Sequence, residues 1–368
     1  MFGTILISII TLAHIYIICR IASVPFVTRY IPRKILIIIG MLLWIIFFAG
    51  RIYGHNHTGI VAVTLEFIGM NWMAIVFLIF VCMLAIDIVT VFGFVMPRLS
   101  SKLRGTALIT ATVFSIIALI QGLRPPVIQN YDVNLSGLPD NLNGKVIVAM
   151  SDMHIGSMIG ERWLAERVTQ VQAEQPDMVV LLGDIFEGHD IPPDKLLSML
   201  GQIPAPLGVW AVLGNHEFHR HRYDQPFFTE ETHFKLLRNR WVEITPGFIL
   251  AGVDDLTTMR RAGSKEDLIS KALNRRPPGA TILLSHTPWQ TDNAANAGVG
   301  LMLSGHTHGG QIWPLGYLVR RFYPLLGGRY KVDDMTVIVC RGTGTWGPRM
   351  RLWRPGEILR ITLYAKSQ

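Results

Sequence analysis

The pattern of apolar positions divides the chain into two unlike parts. Up to residue 123 apolar residues come in long runs, at 2–19, 35–50, 60–96 and 105–123. A helix that crosses a bilayer needs about 20 such residues. The first and last runs meet that length. The second is short unless it extends through Arg51 towards Tyr53, and the third is long, with a plausible spanning core at 67–86. Four such runs exceed what a soluble core of this size can surround, so a membrane unit of about four transmembrane helices is expected over 1–124. The first run lacks a basic start and an A-x-A cleavage site, which argues against a removed signal peptide.

Beyond Leu123 the pattern changes. Arg124-Pro125-Pro126 and a polar stretch to residue 144 read as a linker or a lead-in strand. From Lys145 onward short β-branched runs appear at 146–150, 178–182, 209–213, 248–253, 281–284, 299–303, 336–339 and 358–363. Helical periodicity lies between some of them, at 161–175, 194–200, 230–240 and 265–273. Strand–helix alternation predicts an α/β domain over 145–368.

Charge sharpens this division. The 368 residues carry a formal charge of +8, and mean hydropathy is +0.36. Residues 1–125 hold nine Lys/Arg and two acids, Glu66 and Asp87; the remainder holds 25 basic and 24 acidic residues. The excess basicity therefore belongs to the apolar part, and a nucleic-acid-binding face is not expected. Three cysteines exclude a disulfide scaffold. Basic residues crowd the first connection (Arg20, Arg29, Arg33, Lys34) and the third (Arg98, Lys102, Arg104), which the positive-inside rule places in the cytoplasm. A multi-pass protein of the cell membrane with an extracytoplasmic carboxy-terminal half is the expectation. Glu66 and Asp87 lie near the ends of their run and are expected at the interface or outside the membrane. His55 and His57 read as an exposed loop.

The chemistry is concentrated at strand ends. The segments run Ser151-Asp152-Met153-His154, Gly183-Asp184, Gly214-Asn215-His216-Glu217, Ser285-His286 and Gly305-His306-Thr307-His308-Gly309-Gly310-Gln311. In α/β sheets the carboxyl ends of strands share one crevice. Asp152 and His154 are two residues apart, as are His306 and His308, so each pair reaches a common point from extended backbone. Carboxylate, amide oxygen and imidazole together suit Mn, Fe or Zn better than Ca or Mg. Seven candidates are too many for one tetrahedral ion. Two divalent transition-metal ions about 3.5–4 Å apart would use them all, lowering the pKa of a bound water and clamping a phosphoryl group.

In this order, D-x-H, G-D, G-N-H-E, S-H and G-H-T-H-G-G-Q resemble the calcineurin-like metallophosphoesterases. The G-H-T-H-G-G-Q form and the tail Arg341-Gly342-Thr343-Gly344-Thr345-Trp346-Gly347-Pro348, followed by Glu357-Ile358, resemble the bacterial branch that acts at or outside the membrane. The resemblance implies a β-sandwich flanked by helices in place of the doubly wound sheet that alternation alone suggests. It implies one metal held by Asp152, His154, Asp184 and His308, and a second held by Asp184, Asn215, His286 and His306, with Asp184 bridging. His216 would be a catalytic non-ligand, meeting the phosphate or protonating the leaving oxygen. The implied function is hydrolysis of a phosphomonoester or phosphodiester, with a lipid-linked, nucleotide-sugar or cell-envelope substrate favoured by the membrane unit. The competing reading is a non-enzymatic transporter or scaffold with a ligand-binding domain; a degenerate site should lack a ligand, and none is missing.

Some neighbours need separate treatment. Glu187, His189, His219 and His221 read as loop or substrate-rim residues, with solvated surface favoured. Gly342-x-Gly344-x-x-Gly347 matches a dinucleotide-binding pattern, but Pro348 follows where a helix should begin. A glycine turn at the rim of the metal site is expected there, with Arg349 or Arg351 facing a phosphate, lying at the surface or facing the membrane.

Overall fold

In the computed structural model, residues 2–54, 57, 59–187, 194–218 and 234–366 are described. They form two compact units, Met1–Arg124 with Gly347–Trp353, and Pro125–Trp346 with Arg354–Gln368.

The first unit is helical. Its long helices are Phe2–Ile21, Arg33–Ile52, Ile60–Val89 and Pro97–Leu123. The last three are long and apolar enough to cross a membrane; the described apolar stretch of the first, Ile7–Ile21, is shorter. Small residues set the helix spacing, as is usual where lipid offers no hydrophobic contrast. A Cβ on Gly69 would stand 2.9 Å from the Cα of Phe47. Arg98, Lys102 and Arg104 lie not in a connection but in the first turns of Pro97–Leu123. Glu66 and Asp87 are both buried. Asp87 accepts from Tyr16 Oη at 2.6 Å and Arg104 Nε at 2.8 Å, and its Oδ2 lies 2.6 Å from Arg20 Nε. A charge removed from water is tolerable when countercharges and donors surround it in this way.

The second unit contains two six-stranded sheets. In chain order the strands are β1 (Val127–Leu135), β2 (Val146–Met150), β3 (Met178–Leu182), β4 (Val209–Val212), β5 (Lys235–Leu236), β6 (Arg240–Thr245), β7 (Phe248–Gly252), β8 (Ala280–Leu284), β9 (Leu301–Ser304), β10 (Gly328–Val332), β11 (Met335–Val339) and β12 (Glu357–Ala365). One sheet runs β1-β12-β2-β3-β4-β5, the other β10-β11-β9-β8-β7-β6. β2 to β5 are mutually parallel, as are β7, β8, β9 and β11.

The two-residue period of strands builds the layers. Ile147 and Ala149 of β2, Val180 and Leu182 of β3, and Val212 of β4 meet Phe248, Leu250, Ile282, Leu284 and Leu303 between the sheets. The alternate residues Val148, Met150, Val179 and Leu181 face outward to Leu164, Val171 and Leu200 of the flanking helices. Strands buried on both faces read as unbroken apolar runs, which is why these segments stand out in the sequence. The fold is thus a two-sheet α/β sandwich flanked by helices. The helix expected over 230–240 is not formed at residues 234–240, which hold β5 and the start of β6; residues 230–233 lie outside the described residues. Asn239, at φ +51°, turns the chain between these two strands.

Candidate metal centre

The seven candidate residues all follow strands at one end of the sandwich. Asp152 and His154 follow β2, Asp184 follows β3, Asn215 follows β4, His286 follows β8, and His306 and His308 follow β9. Asp152, His154, Asp184, His306 and His308 have φ between 48° and 70°. Left-handed backbone is uncommon for residues with a Cβ and costs about 1–3 kcal/mol each, so it persists only where surrounding structure enforces it. Two glycines allow the loops to cross. A Cβ on Gly214 would strike the Asp184 carboxylate, and one on Gly305 would strike Ser151 Oγ.

The side chains converge in three groups, each with ligand atoms within 4.8 Å of one another: Asp152, His154 and His308; Asp184, His286 and His306; and His154, Asp184 and His216, which shares a residue with each of the other two. In the first, His154 Nε2 stands 3.1 Å from His308 Nε2, which lies 3.3 Å from Asp152 Oδ1. In the second, His286 Nε2 lies 3.2 Å from both His306 Nδ1 and Asp184 Oδ2. Asp184 Oδ2 is also 3.9 Å from His154 Nε2, and so joins the groups. Imidazole nitrogens and carboxylate oxygens that point at one another suit a shared cation. A further observation tests the fit: the buried Asn215 Oδ1 has no hydrogen-bond partner among the described residues. A buried orphan acceptor costs about 1–3 kcal/mol, and a cation would satisfy it.

Electrostatics accompany this geometry. Burial opposes the charge of Asp184, yet His286, His216 and His154 hold its pKa well below the usual carboxylate value. Burial lowers the pKa of His286, but Asp184 above all raises it well beyond the ordinary imidazole value. His306 falls to about 4, because of its burial and the charge of His286. His216 belongs to the linking group, with its ring centroid 4.7 Å from that of His154. Its Nδ1 is 2.9 Å from Glu187 Oε2 and its Nε2 is 3.9 Å from Asp184 Oδ2. Burial would depress His216, but Asp184 and then Glu187 raise it to about 9.

The roles of several supporting residues escape sequence reasoning. Glu187 is half-buried, not solvated, and meets both His154 Nδ1 at 2.6 Å and His216 Nδ1. Glu217 is buried, and its carboxylate accepts from the backbone N–H of Gly214, Asp184 and Ile185 at 2.7, 2.9 and 2.8 Å. It thereby ties the loop after β3 to the loop after β4. Tyr323 Oη lies 2.9 Å from His306 Nε2. Gln311 accepts from Trp346 N and donates to Trp346 O, at 3.0 and 3.1 Å. The glycine segment 342–347 is a rim loop: Thr343 N and Gly344 N donate to Ser151 O and Asp152 O. Arg349 and Arg351 are buried rather than at a solvated surface. His57 is exposed; His55, His189, His219 and His221 lie outside the described residues.

Comparison with known proteins agrees with this geometry. The family profile described as calcineurin-like phosphoesterase matches residues 145–310. An uncharacterised metallophosphoesterase of Campylobacter jejuni is 33% identical over 266 residues, 71% of this chain and 70% of that protein. One from Aquifex aeolicus is 35% identical over 245 residues, 65% of this chain and 92% of that protein. A transmembrane protein with metallophosphoesterase domain of Bos taurus is 32% identical over 274 residues, 70% of this chain but 62% of that longer protein.

Proposed function

Because this chain belongs to the calcineurin-like metallophosphoesterase family, hydrolases of phosphoester bonds, we propose that it cleaves a phosphomonoester or phosphodiester of the cell envelope, lipid-linked in particular, at a pair of divalent cations. Mn, Fe or Zn suits the mixed donor set. One cation is held by Asp152, His154, Asp184 and His308. The other is held by Asp184, Asn215, His286 and His306, with Asp184 shared. The observation that carries this reading is the pair of side-chain groups joined at Asp184, with the orphan Asn215 oxygen beside them.

When bound, such a pair supplies Lewis acidity at phosphoryl oxygens and a nucleophile at neutral pH. The protein's own groups supply the rest. Asp184 and then Glu187 raise the His216 pKa to about 9, which favours its protonated form. Glu187 fixes its Nδ1, and its Nε2 faces Asp184 Oδ2 at 3.9 Å, on the side where the cations would be held. Protonation of the departing alkoxide by that Nε2 is the step assigned to His216.

The chain is that of a membrane protein, with three helices among the described residues long and apolar enough to span. We place the catalytic unit outside the cytoplasm, on the crowding of basic residues around Arg20–Lys34 and Arg98–Arg104. The direct test of the activity is full-length protein loaded with Mn²⁺ and assayed on p-nitrophenyl phosphate and its bis ester. Metal-dependent release of nitrophenol is expected; no turnover of either ester, with metal bound, would count against the reading.

A further inference from the structure

The G-H-T-H-G-G-Q loop continues through Ile312 and Trp313 into the helix Leu315–Phe322. No residue of this helix is buried. Gly316, Val319 and, just after it, Tyr323 are half-buried and form its inner ridge. Leu315, Leu318 and Phe322 form a second ridge with the same i, i+3, i+7 spacing, and that ridge is exposed. Leu318 is 60% exposed, Phe322 64% and Tyr317 74%, with Trp313 at 41% just before the helix. Arg320 and Arg321, both exposed, occupy the last turn. A soluble helix turns its apolar stripe inward; here the stripe is turned out, next to aromatic and basic residues.

We propose that Trp313 and the helix Leu315–Phe322 form a docking surface for the lipid bilayer interface, so that the metal centre draws an amphiphilic phosphoester from the membrane surface. Aromatic rings and aliphatic side chains beside arginines are the composition of helices that lie in the headgroup region. The arginines complement anionic headgroups. Chain connectivity favours a bilayer over other occupants: only residues 124–126 separate the last apolar helix from β1. The ridge is also coupled to the catalytic loop. A Cβ on Gly310 would meet Gly316 Cα, and Tyr323 bonds His306.

The lipid docking stands on its own, whereas the choice of substrate rests on the hydrolase reading above; two measurements separate them. For docking, full-length protein with Cys19, Cys82 and Cys340 replaced is spin-labelled at Leu318→Cys and reconstituted in vesicles of phosphatidylcholine and phosphatidylglycerol. Thr169→Cys, on the exposed face of Glu161–Ala173, serves as the aqueous reference. The label at 318 should favour oxygen over a nickel chelate in collision rates, and the label at 169 should not. Equal access at both sites, or spin–spin broadening at 318 without oxygen preference (a second copy covering the ridge), would overturn docking. For the substrate, Tyr317→Glu/Leu318→Glu is compared with the native chain on bis(p-nitrophenyl) phosphate and on hexadecyl p-nitrophenyl phosphate in the same vesicles. Turnover of the soluble ester should stay within about twofold, while turnover of the amphiphile should fall by about tenfold or more. Equal changes on both esters would overturn the amphiphile assignment. If the native chain hydrolyses neither ester, the hydrolase reading fails, and the spin label still decides the docking.

Discussion

Asp184 Oδ2 lies 3.2 Å from His286 and 3.9 Å from both His154 and His216, so one oxygen serves both groups and the acid beside them. Asp184→Ala should therefore abolish binding of both cations and all turnover, whereas His216→Ala should keep both cations and lower turnover by about 10²–10⁴-fold. Metal analysis beside kinetics distinguishes the two, and loss of metal from His216→Ala would make His216 a ligand. Glu187 gives a pH test. It helps raise His216 to about 9, and a proton donor loses activity as pH rises through its pKa. Removing that carboxylate with Glu187→Gln lowers the His216 pKa, so the alkaline limb of kcat should move to lower pH. An unmoved limb would show that His216 is not the donor. His286 points the same way for metal uptake. Its pKa is raised by Asp184, so its proton must leave before the nitrogen can ligate, and loading should improve and release protons as pH rises from 6 to 8.

At the scale of elements, loops after five strands must meet, and two features hold them. Gly214 passes against the Asp184 carboxylate, and Glu217 bonds the N–H groups of both loops. Gly214→Ala should displace Asp184 and reduce metal content while leaving the sheets intact by circular dichroism. Glu217→Ala leaves several buried N–H groups unpaired at about 1–3 kcal/mol each, and the apparent Tm should fall clearly more than for an exposed Glu266→Ala. These elements were unequally legible in the sequence. β2, β3, β4, β8 and β9 are apolar on both faces, and the polar residues beyond them are ligand types. β6 and β10 are edge strands with exposed or half-exposed residues throughout, so their pattern is weak. β5 and β6 follow one another with a single left-handed Asn239 in the turn, which a helical reading of 230–240 overlooks. Glu187 and Tyr323 have no spacing signature, and Glu217 stands in the G-N-H-E motif without a legible role, because the partners that define these roles lie in other loops and are adjacent only after folding.

At the scale of the whole molecule, the membrane unit was visible from run length alone, but its internal polarity was not. Asp87 is buried with Arg20, Arg104 and Tyr16, a network that requires three helices to pack before any member finds its partner. Arg104→Ala would leave a buried carboxylate short of a countercharge, a change that typically costs about 3–5 kcal/mol. Yield of folded protein in mild detergent should drop, while Lys102→Ala should be tolerated. A reporter fused to the carboxy terminus should be active outside the cytoplasm; cytoplasmic signal would reverse the orientation inferred from basic residues. The measurement closest to the central claim is elemental analysis of full-length protein loaded with Mn²⁺ or Zn²⁺ and freed of excess. Two ions per chain are expected in the native protein, with none retained by Asp184→Ala; a native chain that holds no stoichiometric metal would contradict the account.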